Sequence, residues 1–300
     1  MHTVKIKESR PDKVFTIINY TVLSILFVVF LYPLVYIVSA SFSSGSAVVQ
    51  NRVWLWPVDF SLDGYKAVFN HRLIMSGFTN SLLYVTIGTA VNLVMTVMAA
   101  YPLSRKDLVG RKPISLLFVF TMLFNSGLIP FYMLVTGLGM RNSFWALIIP
   151  SAMSVYNMIV TRSFFEQTIP TELLEASQID GCTNMKFLLR CVLPLSGPIL
   201  AVMALFYAVG NWNAYFNALI FIDDPNLYPL QLVLRQILIA SQFDFSMMTG
   251  MDVAAQAQRA YLKELLKYSL IVVASVPVLI IYPFVQKYFV KGVMIGSLKG

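Results

Sequence analysis

Residues 169–194 read Ile-Pro-Thr-Glu-Leu-Leu-Glu-Ala-Ser-Gln-Ile-Asp-Gly-Cys-Thr-Asn-Met-Lys-Phe-Leu-Leu-Arg-Cys-Val-Leu-Pro. Pro170 suits the first turn of a helix, and the two glutamates that follow oppose the positive end of its dipole. Gly181 should end this helix, because glycine readily supplies a positive φ, and a second helix should begin near Asn184. Pro194 should open the next long apolar segment. The stretch therefore predicts a short helix, a tight turn and another short helix.

The rest of the chain is apolar enough to cross a membrane repeatedly. Of its 300 residues 58% are hydrophobic and 12% are charged, against about 25% charged in soluble domains. A membrane helix needs roughly 20 apolar residues. Six stretches without any Lys, Arg, Asp or Glu meet this requirement: Val14–Ser39, Gly77–Tyr101, Ile114–Val135, Ser143–Thr161, Pro194–Ile222 and Tyr268–Gln286. They predict an all-α membrane protein with six transmembrane helices.

The first stretch also has features of a cleaved signal peptide, because basic residues precede it and Ser39-Ala40-Ser41 follows it. Its apolar part is longer than the roughly 7 to 15 residues of a signal peptide core. A retained helix is therefore favoured.

The basic residues predict the orientation in the membrane. With the N-terminus inside, 14 of the 22 Lys and Arg residues lie in cytoplasmic segments, as the positive-inside rule requires. This divides the chain into a cytoplasmic N-terminal segment (1–13), a six-helix domain (14–286) and a cytoplasmic C-terminal tail (287–300). Within the domain, 162–193 is a cytoplasmic loop, and 223–267 is an external loop that is expected to be partly helical.

Enzyme and metal-site patterns are not found in the sequence. Cys182 and Cys191 lie in the predicted cytoplasmic loop, where a disulfide is not expected, and two thiols alone fall short of a zinc site. His2 and His71 lie outside the apolar stretches. The sequence contains no pattern that would bring a nucleophile and a base, or two carboxylates, together in a catalytic site. There is also no phosphate-binding Gly-x-x-x-x-Gly-Lys-Ser/Thr loop. The chain is therefore expected not to be an enzyme.

On physical grounds alone, the loop could equally be a docking site or an amphipathic pair lying on the membrane. A resemblance to a known family decides between them, and it rests on the pattern Glu175-Ala176-Ser177, three residues, Gly181, nine residues, then Cys191-Val-Leu-Pro194. This resembles the EAA signature of bacterial ABC importer permeases. Ser177 stands where the family usually has a second alanine, and Cys191 stands where an aliphatic residue is usual.

The resemblance extends over nearly the whole chain, through Asn211-Trp212-Asn213 and the ending 286–300. It is to the MalG-type permeases of carbohydrate importers, and within them to the LplC and YtcP group, which is linked to complex oligosaccharides. It implies a MetI/MalG-like ABC permease fold in a bacterial cytoplasmic membrane. The implied partners are a second, MalF- or LplB-like permease, two ATPase subunits, an extracytoplasmic solute-binding protein and a sugar. No cofactor is expected in this chain, because the ATPase would bind ATP and Mg.

The resemblance also indicates which residues should couple to the ATPase: Glu172, Glu175, Ala176, Ser177, Asp180, Gly181, Leu193 and Pro194. A second set consists of polar and aromatic residues at membrane depth, which could line a sugar pathway: Asn125, Tyr156, Asn157, Asn211, Trp212, Asn213, Tyr215 and Asn217. Such residues are often functional, but hydrogen bonding between helices would explain them equally well.

Two rival functions remain at this stage. An ABC importer for a solute other than sugar would have the same coupling loop. A secondary transporter would normally place an ionisable residue at membrane depth, and the six stretches contain none. The external loop 223–267 is the expected docking surface for the binding protein, with a simple cap over the pore as its alternative.

Overall fold

A computed structural model describes the backbone of residues 9–124, 126–243 and 253–297, and the side chains of 9–124, 126–239 and 261–283. In chain order the α-helices are α1 (Arg10–Ser41), α2 (Gly45–Val49), α3 (Asp63–Asn70), α4 (Arg72–Ser104), α5 (Arg111–Leu123), α6 (Leu128–Gly137), α7 (Trp145–Ile148), α8 (Val155–Thr168), α9 (Thr171–Ile179), α10 (Asn184–Phe187), α11 (Leu193–Leu195), α12 (Gly197–Asn213), α13 (Phe216–Phe221), α14 (Leu230–Phe243) and α15 (Val253–Ser297). Short 3₁₀ turns cover Ile149–Ser151 and Pro225–Leu227, and a π turn covers Leu188–Val192.

These residues divide into two compact units. One holds the described residues within 1–70 and 237–273, and the other holds those within 71–236 and 274–300. The first unit begins at a capping box: the Ser9 hydroxyl accepts from the Asp12 N–H, and the Asp12 carboxylate accepts from the Ser9 N–H. Its small core joins the end of α1 to α2 and α15 through Ala40, Val48 and Leu265.

The second unit is organised around α4, against which α8 and α12 pack. Gly88 on α4 permits the approach of α12, because a Cβ at this position would lie 2.9 Å from Nδ2 of Asn211. Its principal apolar cluster includes Val97 and Tyr101 of α4, Met158 and Phe165 of α8, and Met203 of α12, all of them buried. This cluster extends to Phe187, Leu188 and Val192 of the predicted cytoplasmic loop 162–193.

Three of the six predicted membrane stretches are confirmed as single long helices. Among the described residues, α1, α4 and the Tyr261–Pro283 part of α15 are long and apolar enough to cross a bilayer. The pair α5 and α6 qualifies only as a bent span, and so does the segment Asn184–Asn213, which brings the total to five.

The other predicted stretches need corrected boundaries. The third stretch, Ile114–Val135, is divided between α5 and α6. The fifth does not begin its long helix at Pro194: α11 ends at Leu195 and α12 starts at Gly197, after an 83° bend between Asn184–Leu195 and Gly197–Asn213. Pro198 then occupies the first turn of α12, where its missing N–H has no cost.

The fourth stretch, Ser143–Thr161, differs most from the prediction of a membrane helix. It is divided into α7, a 3₁₀ turn that contains Pro150, and the start of α8. Backbone groups freed by the break find partners on neighbouring helices. Asn92 of α4 donates to the Ser151 carbonyl (Nδ2 to O, 2.6 Å), and the Ser154 N–H donates to the Tyr207 hydroxyl of α12 (3.1 Å). Irregular backbone at membrane depth is tolerated where protein groups replace the lost bonds in this way.

Candidate functional site: a coupling loop and a membrane cavity

The turn after α9 closes in a Schellman motif. Gly181 has φ of +70°; its N–H donates to the Gln178 carbonyl (3.0 Å), and the Cys182 N–H donates to the Ser177 carbonyl (2.9 Å). Both bonds satisfy carbonyls that the end of a helix leaves free. The predicted turn and the start of the second helix at Asn184 are therefore confirmed. Pro170, expected inside the first turn, is instead the N-cap residue that precedes it.

The outer face of α9 is acidic and exposed. Glu172, Glu175 and Asp180 are all exposed, as is Ala176 between them. Ile179 on the same helix exposes 87% of its surface, so an apolar side chain also lies on this exposed face. Ser177 is half-buried, and its hydroxyl donates to the Leu174 carbonyl (2.7 Å). Small residues, carboxylates and an exposed apolar side chain together form a surface that suits contact with another protein.

The inner face of the loop is anchored in the principal apolar cluster. Phe187 is 2% exposed and Val192 is 1% exposed, and both belong to the cluster formed by α4, α8 and α12. Leu174 of α9 packs against the same cluster from its edge. The second half of the loop is therefore fixed to the membrane helices, whereas the first half carries the exposed carboxylates.

The loop passes into α12 through a π turn and the bend at Ser196. Leu193 is half-buried and Pro194 is exposed just before this bend. The Ser196 hydroxyl is buried and has no hydrogen-bond partner within the described part of the chain. A π turn followed by a break in the helix is a common site of bending. The two predicted coupling residues at this end thus lie where the loop changes direction.

A cavity of about 320 Å³ lies between α4, α8, α12 and α13. Its walls combine aromatic rings, amides and hydroxyls, and none of the lining side chains carries a formal charge: Tyr84, Leu147, Ile148, Ser151, Ser154, Asn157, Phe206, Tyr207, Gly210, Asn211, Ala214, Asn217, Ala218 and Pro229. The break in the fourth stretch borders this cavity through Ser151 and Ser154. Aromatic faces next to neutral hydrogen-bonding groups suit a hydroxyl-rich ligand.

Three of the predicted pathway residues meet at this cavity: Asn157, Asn211 and Asn217. The Asn211 amide donates to the Asn92 side chain (Nδ2 to Oδ1, 3.0 Å), which leaves its carbonyl oxygen available. The Asn157 side-chain amide makes no hydrogen bond to any other described residue, although the residue is 8% exposed. An amide in this state can serve a hydroxyl-bearing ligand.

The remaining pathway residues do not come together there. The indole of Trp212 is buried and donates to the Ala274 carbonyl (3.0 Å), so it joins α12 to α15 as a packing residue. Asn213 is exposed and bonds its own helix at the Val209 carbonyl, and Tyr156 is 61% exposed. Tyr215 lies under the Arg235 guanidinium, 5.6 Å from Cζ to the ring centroid. Asn125 lies outside the described residues.

The sequence prediction missed Tyr84 and the two serines at the break. A signal was present for Tyr84, because Ser81, Tyr84, Gly88 and Asn92 recur every three to four residues and are all buried on one face of α4. A stripe of small and polar residues at helical spacing marks the packed face of a membrane helix. The serines gave no comparable signal, since their role depends on a break that residues distant in sequence stabilise.

Residues 92–295 match the family described as "Binding-protein-dependent transport system inner membrane component". The chain belongs to this family. The permease is 39% identical over 289 residues to the polygalacturonan/rhamnogalacturonan transport system permease protein YtcP of Bacillus subtilis (strain 168), covering 96% of this chain and 99% of the relative. It is 38% identical to the protein LplC of the same organism, covering 100% of this chain and 99% of LplC.

A solved structure extends the comparison to the fold. The permease is similar to a chain in the crystal structure of a bacterial ABC transporter involved in the import of the acidic polysaccharide alginate. The TM-score is 0.86 at 34% identity, covering 95% of this chain and 100% of that chain. The predicted all-α, MetI-like ABC permease fold is thus confirmed. An inner membrane component of this kind works with a partner permease, an ATPase and a binding protein.

Proposed function

We propose that the permease forms half of the translocation pathway of an ATP-driven importer for oligosaccharides and receives the ATPase on its coupling loop. The observation that carries this proposal is the anchored loop of residues 169–194, which presents exposed Glu172 and Glu175 on a helix fixed by a glycine turn. A sugar as cargo is supported by the names of two similar proteins, which transport polygalacturonan or alginate. The uncharged, amide-rich cavity supports it independently.

The assembly we propose has four kinds of subunit. This chain pairs with a second, MalF- or LplB-like permease, two ATPase subunits bind ATP and Mg, and an extracytoplasmic protein delivers the sugar to the external segment 223–267. The coupling loop and both termini face the cytoplasm, in agreement with the distribution of basic residues. The predicted cytoplasmic tail, 287–300, lies outside the described side chains.

The proposed mechanism is a two-state switch that a distant ligand biases. Closure of the ATPase pair on ATP moves α9, and the buried anchors Phe187 and Val192 carry that movement into α4, α8 and α12. Since these helices line the cavity, the movement can open it to the other side of the membrane. A change of this kind requires only that the ATPase bind the two states of the loop with different affinity.

We expect Glu175→Arg to weaken copurification with the ATPase by about tenfold or more, because reversing an interface charge removes an attraction and adds a repulsion. Glu175 is exposed, so the change should leave the fold of the permease intact. The neutral variant Glu175→Gln keeps the size of the side chain and should give an intermediate loss. The measurement is the ratio of ATPase to permease after purification, followed by ATP-dependent sugar uptake into reconstituted vesicles. Full association and uptake in Glu175→Arg would contradict docking at α9.

A second prediction concerns the cavity. Asn157→Leu should reduce sugar uptake about tenfold, because a lost polar contact to a bound hydroxyl amounts to roughly 1 to 3 kcal/mol. Its control is Asn213→Leu, the same replacement on an exposed residue that bonds only its own helix. The rates are compared in the same vesicles, with ATPase association measured in parallel. Equal rates of sugar uptake for the two variants would contradict the proposal that the cavity is part of the sugar pathway.

A further inference from the structure

Arg105, one of the 14 basic residues in the predicted cytoplasmic segments, lies at the centre of a hydrogen-bonded cluster. Its side chain is 9% exposed although it follows α4 directly. Nε and Nη2 donate to the two oxygens of Asp107 (2.8 and 2.6 Å). Nη1 donates to the Tyr101 hydroxyl (3.1 Å) and to the Asn184 side chain (Nη1 to Oδ1, 2.8 Å).

The bond to Asn184 crosses from one cytoplasmic segment to another. Asn184 is the first residue of α10, in the second half of the coupling loop, whereas Tyr101 lies in the last turn of α4 and Arg105 is its C-cap. The carboxylate of Asp107 raises the pKa of Arg105 above its usual value, and the guanidinium in turn lowers the pKa of Asp107. Both groups therefore stay charged, and the planar fork of Arg105 stays oriented towards the loop.

Arg111, the first residue of α5, makes a second connection of this kind. Its guanidinium donates to the Leu103 carbonyl (Nε to O, 2.9 Å) and pairs with Glu166 near the end of α8. Glu166 also accepts from Arg162 (Nε to Oε1, 2.8 Å). Arg105, just after α4, therefore binds α10, and Arg111, at the start of α5, binds α8; α9 lies between α8 and α10 in the chain.

We propose that Arg105 is a positioning residue for coupling: it ties α10 to the end of α4, so that movement of the docked loop is transmitted to the helix that lines the cavity. This deepens the proposed function and rests on it. Apolar packing alone permits the loop to slide against α4. A bidentate Arg that also bonds the loop fixes the distance and the orientation, which a lysine cannot reproduce.

The test uses two variants that remove the hydrogen bond without changing the net charge. Arg105→Lys keeps the positive charge and loses the fork, and Asn184→Ala removes only the acceptor on the loop. Each should lower sugar uptake per ATP hydrolysed by about tenfold, the scale expected for a lost hydrogen bond to a charged group, while ATPase association stays at the wild-type level. Asn184→Asp keeps an acceptor and should retain wild-type coupling. Arg105→Lys combined with Asn184→Ala should be no worse than either single variant, because both break the same bond.

Lys106 provides the matched control. It is the next residue, is exposed and makes no ion pair within the described chain. Lys106→Ala removes a positive charge from the same segment, so it should leave uptake per ATP within about twofold, as expected for a surface change. An equal loss in Lys106→Ala would assign the effect to charge and overturn the proposal. Unchanged coupling in both Arg105→Lys and Asn184→Ala, or loss of ATPase association in Asn184→Ala, would also overturn it.

A second readout separates this proposal from the transport proposal. Cys182 lies in the turn of the loop and is half-buried, and Cys191→Ser leaves it as the sole thiol of the chain. Maleimide should label Cys182 faster in Arg105→Lys and Asn184→Ala than in the wild type, and at the wild-type rate in Asn184→Asp. Equal labelling rates of Cys182 in all variants would overturn the proposed link between Arg105 and Asn184. A wild-type complex that labels as expected but transports no sugar would refute only the proposed function.

Discussion

We expect Gly181→Pro to abolish ATP-driven uptake and association with the ATPase. Proline fixes φ near −65°, whereas Gly181 has φ of +70°, so the chain cannot make the turn. Proline also removes the N–H that donates to the Gln178 carbonyl. Because the Schellman motif needs both features, α9 would lose its orientation relative to α10.

The control for this prediction uses the same position. An added Cβ at Gly181 would meet nothing within 4 Å, so the glycine is required for its backbone conformation rather than for space. Gly181→Asn should therefore retain most activity, because asparagine tolerates a left-handed conformation better than other residues. Gly181→Ala should destabilise the turn by about 1 to 2 kcal/mol, and its uptake should lie between those of Gly181→Pro and Gly181→Asn. All three variants are compared by copurification with the ATPase and by sugar uptake into vesicles. Wild-type uptake in Gly181→Pro would refute the role of the turn.

The second large effect is expected from Phe187→Ala. Phe187 is 2% exposed and belongs to the cluster that joins the loop to α4, α8 and α12. Truncating a buried phenylalanine to alanine destabilises by about 3 to 5 kcal/mol, so the loop should detach from the membrane helices. Uptake should then be lost even though the exposed face of α9, with Glu172 and Glu175, is unchanged.

Leu189→Ala is the matched control, because Leu189 lies two residues further on in the π turn and is 55% exposed. Its replacement should change the thermal unfolding midpoint of the purified permease little, whereas Phe187→Ala should lower it clearly. The measurements are thermal unfolding in detergent and sugar uptake in vesicles. A Phe187→Ala variant that unfolds and transports like Leu189→Ala would contradict the anchoring role.

The coupling loop was predictable because its determinants are local. Pro170, Gly181 and the residues between them set a helix and its end within about a dozen positions, and the structure places the turn where the sequence does. Two details differ: Pro170 is the N-cap and not part of the first turn, and the long helix does not begin at Pro194. Pro194 suggested the start of a long helix, but the chain bends by 83° between Asn184–Leu195 and Gly197–Asn213; Val192, just before the bend, is buried in the core.

Which polar residues are free for a ligand could not be predicted from the sequence. Asn157, Trp212 and Asn213 looked equivalent, since each is a polar or amphipathic residue at membrane depth. The structure separates them by their partners: the Trp212 indole bonds the Ala274 carbonyl, Asn213 bonds its own helix, and the Asn157 amide borders the cavity. These partners depend on how helices pack rather than on the spacing along one helix.

The sequence by itself determined that charge-free stretches alternate with basic segments, that one such segment bends at Gly181, and that a family of importers shares this pattern. The first property depends on the transfer of side chains into lipid, and the second depends on backbone conformation within a few residues. Only the tertiary structure decided that the stretch 143–161 is broken, that Trp212 is a packing residue and that Arg105 binds Asn184. In each case the partner lies more than 50 residues away in the chain, so the deciding hydrogen bond exists only after the helices have packed.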